Sequence, residues 1–290
     1  MTESKYTRQI VTEVRSWVPG KLFSLRVTRD PGFIFKAGQF ARVGLPESNA
    51  PGAEPTLWRA YSMVSGPLDN ELEFYSIVVP EGAFSPRLAA LRPGDALYVE
   101  KNPYGFLTID RFGAVNAQPT QSAQSGHPGT SGVHGQAGAY SDLWLLASGT
   151  GLSAYLSILR DPATWTSFRR IIVVHGVRTA QELAYRQEIE GWSSLPEFAG
   201  IYRADPRKLI YLPVATRERL AGVPQARLTT LIEDGRLETL VGERLDPAHA
   251  KVMLCGNPAM LADARKLLAE RGFAPGRRGV PGNLAVENYW

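Results

Sequence analysis

Between residues 6 and 101 apolar and polar positions alternate in short runs. β-branched and aromatic side chains recur at every second position over 6–14 and again over 22–28, with Pro19-Gly20 between them, which predicts two antiparallel strands joined by a turn. Residues 33–45 (FIFKAGQFARVGL) read as a further strand entered through Gly38-Gln39-Phe40, and a Pro/Gly/Ala-rich loop over 46–55 leads into 58–65 (WRAYSMVS). Residues 72–79 (LEFYSIVV) form another strand pattern, and 97–101 follows a Pro-Gly-Asp turn. Five or six short strands without long helices between them predict a closed antiparallel barrel. Residues 82–91 (GAFSPRLAAL) break the alternation. There Ser85 as N-cap, Pro86 as first helical residue, and Leu88 and Leu91 one turn apart predict a short helix.

From 112 to 141 the hydrophobic period disappears, and Gly, Ser, Gln, Ala and Pro dominate. Such a stretch buries too little apolar area to offset its ordering entropy and reads as a flexible linker or insertion. Beyond it the pattern changes to alternating strand and helix. Continuous apolar runs at 143–148 (LWLLAS), 171–175 (IIVVH), 209–214 and 252–255 are separated by helical spacing over 152–159, 180–190, 228–234 and 259–271. That order implies a parallel sheet with helices on both faces. The expected fold is therefore α+β followed by α/β: an antiparallel β-barrel over 1–112, a linker over 113–141, and a Rossmann-like parallel-sheet domain over 142–290.

Composition narrows the classes. A chain of 290 residues can bury two cores, and 44% apolar with 21% charged residues is the balance of a soluble globular protein. No run of about 18 apolar residues occurs, and the first ten residues are polar where a secretory signal is hydrophobic, so the expected setting is cytoplasmic, away from membranes. A single cysteine, Cys255, excludes an intramolecular disulfide and a four-thiolate cluster within the chain, so any one-electron partner is a separate protein. The formal charge of +4 without a Lys/Arg run suits an acidic protein partner rather than nucleic acid. His127 and His134 lack carboxylate or thiolate companions, and no metal site is expected.

Candidate chemistry concentrates at Arg59-Ala60-Tyr61-Ser62. Strand alternation puts Arg59 and Tyr61 on one face, with Ala60 and Ser62 on the other. A guanidinium can fork onto a pyrophosphate, a flat phenol can stack on an isoalloxazine, and a hydroxyl can reach a ring nitrogen. Residues Gly149-Thr150-Gly151-Leu152-Ser153-Ala154 satisfy G-x-G-x-x-A directly after a strand and at the start of a helix, the context a dinucleotide pyrophosphate requires. After the second parallel strand the chain reads Gly176-Val177-Arg178, and its first acid is Glu182. A cation in that place favours a 2'-phosphate over a free ribose hydroxyl.

These motifs, together with Ser85-Pro86-Arg87-Leu88, His175-Gly176-Val177-Arg178, Cys255-Gly256-Asn257-Pro258 and the terminal Val286-Glu287-Asn288-Tyr289-Trp290, resemble in order the ferredoxin-NADP(H) reductase family, above all its bacterial members that end in an aromatic. Residues 114–141 have no counterpart in that pattern. The resemblance implies FAD bound through Arg59, Ala60, Tyr61, Ser62, Tyr75, Ser76 and Ser85, with Tyr61 stacked on the flavin and Ser62 bonded near its reacting nitrogen. It implies NADP(H) on Gly149, Thr150 and Gly151, with Arg178, Arg217 and Arg227 clamping the 2'-phosphate. Cys255 would border the nicotinamide, Glu287 would relay protons, and Tyr289 and Trp290 would stack on cofactor. Ser62, Glu287 and Cys255 are the catalytic candidates. The implied activity is hydride transfer between NADP(H) and flavin with single-electron exchange to ferredoxin or flavodoxin, by a monomer. Arg8, Arg15, Lys21 and Arg26 could meet either acidic carrier. A related NAD(P)H-dependent flavin or oxygenase reductase, and a non-enzymatic flavin redox sensor, remain as alternatives.

Overall fold

The computed structural model describes residues 4–48, 53–113, 141–277 and 280–288. The expected linker therefore lies, apart from its two end residues, outside the described residues. Strands β1 (Tyr6–Val18), β2 (Leu22–Thr28), β3 (Phe40–Leu45), β4 (Leu57–Ser62), β5 (Glu71–Ile77) and β6 (Ala96–Glu100) form one antiparallel sheet in the order β4-β3-β6-β1-β2-β5. Its two edges meet at the Met63–Phe74 bridge, where the Val64 amide donates to the Glu73 carbonyl at 2.8 Å, so the sheet closes into a barrel. Alternate residues such as Leu25, Val27, Val43, Phe74, Leu97 and Val99 fill its interior, which is the period-2 pattern read from the sequence.

Two expectations about this sheet are corrected. Residues 33–39 are not strand: Gly38 has φ +90°, and a Cβ there would lie 2.0 Å from the Leu107 carbonyl oxygen, so the chain turns before β3 begins. Helix α1 (Ser85–Ala89) does plug the barrel with Leu88, but its N-cap is Phe84 and not Ser85. The Ser85 hydroxyl instead accepts from the Val79 amide at 2.8 Å, pinning the loop that precedes the helix.

The second sheet is parallel. Its strands are β7 (Asp142–Ser148), β8 (Ile171–Val177), β9 (Leu209–Ala215), β10 (Ala250–Cys255) and β11 (Leu284–Glu287), ordered β11-β10-β7-β8-β9. Between them run α2 (Leu152–Leu159), α3 (Pro162–Ser167), α4 (Arg186–Gly191), α5 (Ala199–Ala204), α6 (Leu228–Glu233), α7 (Arg236–Val241) and α8 (Pro258–Glu270). Leu143, Leu145 and Val173 face the layer containing α2, while Trp144, Leu146 and Val174 face α6 and α8. Helices thus cover both faces, as the strand-helix alternation requires. The helix expected over 180–190 is interrupted. A 3₁₀ turn ends at Glu182, Tyr185 takes φ +59°, and α4 starts only at Arg186. The Tyr185 ring is inserted toward the barrel, where its hydroxyl donates to Glu73 at 2.8 Å.

Helix α2 is buried along its whole length between barrel and sheet. Each of its leucines contributes roughly 1.5–3 kcal/mol by leaving water, which outweighs the weak helix propensity of its serines. One of those serines binds the two halves together, since the Ser157 hydroxyl donates to Ser65 O at 2.7 Å and accepts from the Gly38 amide at 3.2 Å. Arg160, just past the helix, donates to Glu73 at 2.9 Å and to Val64 O at 3.2 Å. Barrel and parallel sheet are consequently held in one relative orientation. In the strand order, β7 and β10 are neighbours from which successive connections run in opposite directions, and ligands of open α/β sheets bind beyond the carboxyl ends at such a point.

Candidate active site

At that point a cavity of about 460 Å³ opens between the two sheets. Its barrel wall contains Arg59, Ala60, Tyr61 and Ser62 of β4, then Tyr75 and Ser76 of β5, then Ser85. Its sheet wall contains Thr150, Gly151, Ser153 and Gly256. All four residues of the Arg59–Ser62 motif reach the cavity although alternation separates them onto two faces.

Each wall residue has a defined setting. The Tyr61 ring leans on Phe84 and Phe74 at centroid distances of 5.8 and 6.3 Å, and burial raises its phenol pKa. The Ser76 hydroxyl donates to Ile77 O at 3.0 Å and lies 3.5 Å from the Tyr61 hydroxyl. Ser62 is 9% exposed, opposite Phe40 of β3. The Tyr75 hydroxyl is buried and has no hydrogen-bond partner among the described residues. An orphaned buried hydroxyl costs about 1–3 kcal/mol, so a ligand atom that pairs with it is stabilised. Arg59, exposed at the rim, donates to its neighbour's carbonyl, Trp58 O, at 2.7 Å.

On the sheet side the glycines carry the geometry. Gly149 has φ +55°, and Gly151 stands so close to β10 that a Cβ would lie 2.4 Å from the Cys255 carbonyl oxygen. Only a glycine turn admits both, which leaves the N-terminus of α2 open toward the cavity, with the Ser153 hydroxyl returned to Thr150 O at 2.8 Å. Behind the turn, His175 Nε2 donates to the Gly149 carbonyl at 3.0 Å, and its Nδ1 lies 3.3 Å from the Tyr211 hydroxyl. A carbonyl only accepts, so Nε2 carries the proton and Nδ1 accepts from Tyr211. Burial lowers the His175 pKa to about 4, keeping the ring neutral. Sequence reading singled out His175 only as part of a motif and missed this role, whose partner Tyr211 is 36 residues away.

The three arginines gather at the carboxyl edge of β8 and β9. The Arg217 amide donates to Arg178 O at 2.9 Å, and the Ala226 amide donates to Ala215 O at 3.1 Å, setting Arg227 at the start of α6. All three are exposed there. Glu182 does not face outward as a ribose acceptor. It accepts from the Arg178 amide at 2.9 Å and from Arg178 Nε at 3.1 Å, and it is ion-paired with Lys21 of the barrel.

Two candidates stand away from the cavity wall. The Cys255 side chain is fully buried in the core shared with Met253 and Ala285, and burial, then the charge of Glu287, raises its thiol pKa far above the ordinary range. Its carbonyl is the backbone group against which Gly151 packs. Glu287 ends β11 beside Cys255, and its Oε1 accepts from the Phe106 amide at 3.1 Å, joining the parallel sheet to a barrel loop. Tyr289 and Trp290 lie outside the described residues. Asn257, quoted in the sequence only as part of Cys255-Gly256-Asn257-Pro258, caps α8 by accepting from the Ala259 and Met260 amides at 3.0 and 3.3 Å.

Comparison with known proteins gives consistent matches. Residues 145–266 match the family model described as oxidoreductase NAD-binding domain. A protein named ferredoxin-NADP reductase A from Sorangium cellulosum is 39% identical over 284 residues, covering 97% of this chain and 89% of that one. A flavodoxin/ferredoxin-NADP reductase from Escherichia coli is 36% identical, with 97% of both chains covered. The crystal structure of a ferredoxin NADP+ reductase from Neisseria gonorrhoeae with bound FAD and NADP superposes with a TM-score of 0.80 at 27% identity, over 99% of this chain and 100% of that one.

Proposed function

Because the chain belongs to the ferredoxin/flavodoxin-NADP reductase family, we propose that it is an FAD-dependent oxidoreductase that moves hydride between NADP(H) and flavin and exchanges single electrons with ferredoxin or flavodoxin. The observation that carries this reading is the shared cavity, with Arg59–Ser62 on one wall and Thr150, Gly151 and Gly256 on the other. The two cofactors meet in that space on this reading, and the unpaired Tyr75 hydroxyl and the glycine-lined turn are features that support it. On this reading residues 1–112 form the FAD-binding domain, 142–290 the NADP(H)-binding domain, and the setting is cytoplasmic.

Bound FAD supplies the redox centre, accepting two electrons and releasing them one at a time. The chain supplies position and field. Arg59 pairs with the flavin pyrophosphate, Tyr61 gives a stacking face, and the Ser62 hydroxyl donates to the flavin ring. The α2 N-terminus holds the dinucleotide phosphates, and Arg178, Arg217 and Arg227 surround the 2'-phosphate. Closure between two packed sheets limits water at the transfer point. A formal charge of +4 favours encounter with an acidic carrier. The test is NADPH-driven reduction of cytochrome c with ferredoxin or flavodoxin as intermediary. Strong stimulation by a carrier is expected, and an NADPH-reduced protein that passes electrons to neither would remove the carrier assignment.

A further inference from the structure

The acid that follows the second strand of a dinucleotide-binding sheet ordinarily accepts the ribose 2'-hydroxyl when the ligand is NAD. Here that acid is Glu182, and both its oxygens are spent. One oxygen pairs with the Lys21 ammonium, while the other accepts from the Arg178 amide at 2.9 Å, with Arg178 Nε within 3.1 Å of the carboxylate. Its side chain is 9% exposed. Arg178 remains half-exposed, held by Nε, so the other end of its guanidinium is left for a ligand. Lys21 belongs to the other sheet. It sits in the turn between β1 and β2, its carbonyl accepting from the Val78 amide at 2.8 Å, and it crosses 161 positions of sequence to reach Glu182.

We propose that Lys21 and Glu182 together determine nucleotide specificity: Lys21 locks and neutralises the acid that would otherwise accept a ribose hydroxyl and repel a 2'-phosphate, and Glu182 in turn aims Arg178. The inference rests on the NADP(H) reading of the Arg178, Arg217 and Arg227 cluster. Neither residue touches the reacting atoms, so they are positioning residues. Loss of the ammonium acts in two ways with the same sign. A carboxylate that has lost the ammonium competes with the phosphate for Arg178 and weakens phosphate binding, and Oε1, which then keeps Arg178 Nε but not Lys21, has room to accept the hydroxyl of the unphosphorylated nucleotide.

The experiment is calorimetric binding of 2'-phospho-AMP and of 5'-AMP to the full chain, which reads discrimination without turnover. Wild type is expected to prefer 2'-phospho-AMP. Lys21→Met should reduce the ratio of the two dissociation constants about tenfold, and Lys21→Gln should do the same if the first variant expresses poorly. Adding Glu182→Gln to Lys21→Met removes the unbalanced charge and should restore most of the ratio, which a merely loosened fold would not do. A wild-type ratio near one would overturn the NADP(H) reading and this inference with it. A clear wild-type preference left unchanged by Lys21→Met would overturn this inference alone, as would a ratio that falls and is not restored in the double variant.

Discussion

His175 Nε2 lies 3.0 Å from the Gly149 carbonyl, so the turn that opens onto the cavity is fastened from behind by a neutral imidazole whose other nitrogen is taken by Tyr211. Removing the ring takes the imidazole partner from the Tyr211 hydroxyl and one of two donors from the Gly149 carbonyl, which keeps the Leu152 amide, at about 1–3 kcal/mol in all. His175→Leu is therefore expected to raise the dissociation constant for NADP+ about tenfold while leaving FAD content unchanged. His175→Gln, whose amide can occupy the Nε2 position, should recover much of the loss.

The same residue predicts a pH dependence. Its folded pKa, about 4, lies below the ordinary 6.5, so the unfolded chain binds the proton more readily. The stability contributed by the neutral ring is complete above about pH 6.5 and is lost as pH falls toward 4, amounting to roughly 2 kcal/mol by pH 5. Urea unfolding at pH 7 and pH 5 should show that loss in the wild type and much less of it in His175→Gln. Equal slopes for both proteins would assign the loss to other groups.

Gly151→Ala tests the close approach of turn and strand. The new Cβ would stand 2.4 Å from the Cys255 carbonyl oxygen, a backbone atom that cannot swing aside. The variant is expected to lose about 1–3 kcal/mol of stability and most of its NADP+ affinity, measured by thermal melting and calorimetry.

Ser62→Ala removes a hydroxyl from the barrel wall of the cavity with little change in volume. Hydride transfer measured in a single turnover should slow by about 10²-fold or more if that hydroxyl acts in the transfer itself, with flavin content retained. An unchanged rate would leave Ser62 a binding residue only.

Arg160 ties the barrel to the parallel sheet through Glu73, whose side chain is 7% exposed. Arg160→Met leaves Glu73 with the Tyr185 hydroxyl and Arg26 at 3.5 Å and takes from Glu188 its Arg160 partner, and should cost roughly 1.5–3 kcal/mol. Arg160→Met combined with Glu73→Gln should regain a large part of that, as denaturant midpoints would report.

What the chain alone disclosed follows the range of the physics involved. Alternation is local, so β2, β5 and β6 and the helix over 152–159 could be placed closely, and the glycines of Gly149-Thr150-Gly151 announced a turn that only glycine permits. Strand β11 escaped notice because four residues carry too little period; α3, α5 and α7, of six residues each, escaped as well, whereas α6, equally short, shows Leu228, Leu231 and Ile232 one turn apart. The interruption at Tyr185 and the burial of Cys255 depend on partners from distant segments, and so does the pairing of Lys21 with Glu182. No window along the sequence contains those contacts.

The central claim, one cavity serving flavin and NADP(H), is tested most directly by anaerobic titration of the flavin-loaded protein with NADPH and, separately, NADH, following the oxidised-flavin absorbance. Rapid bleaching by NADPH with a far weaker response to NADH is the predicted result. A protein that neither carries nor takes up FAD, or one that NADH reduces more readily than NADPH, would contradict the account.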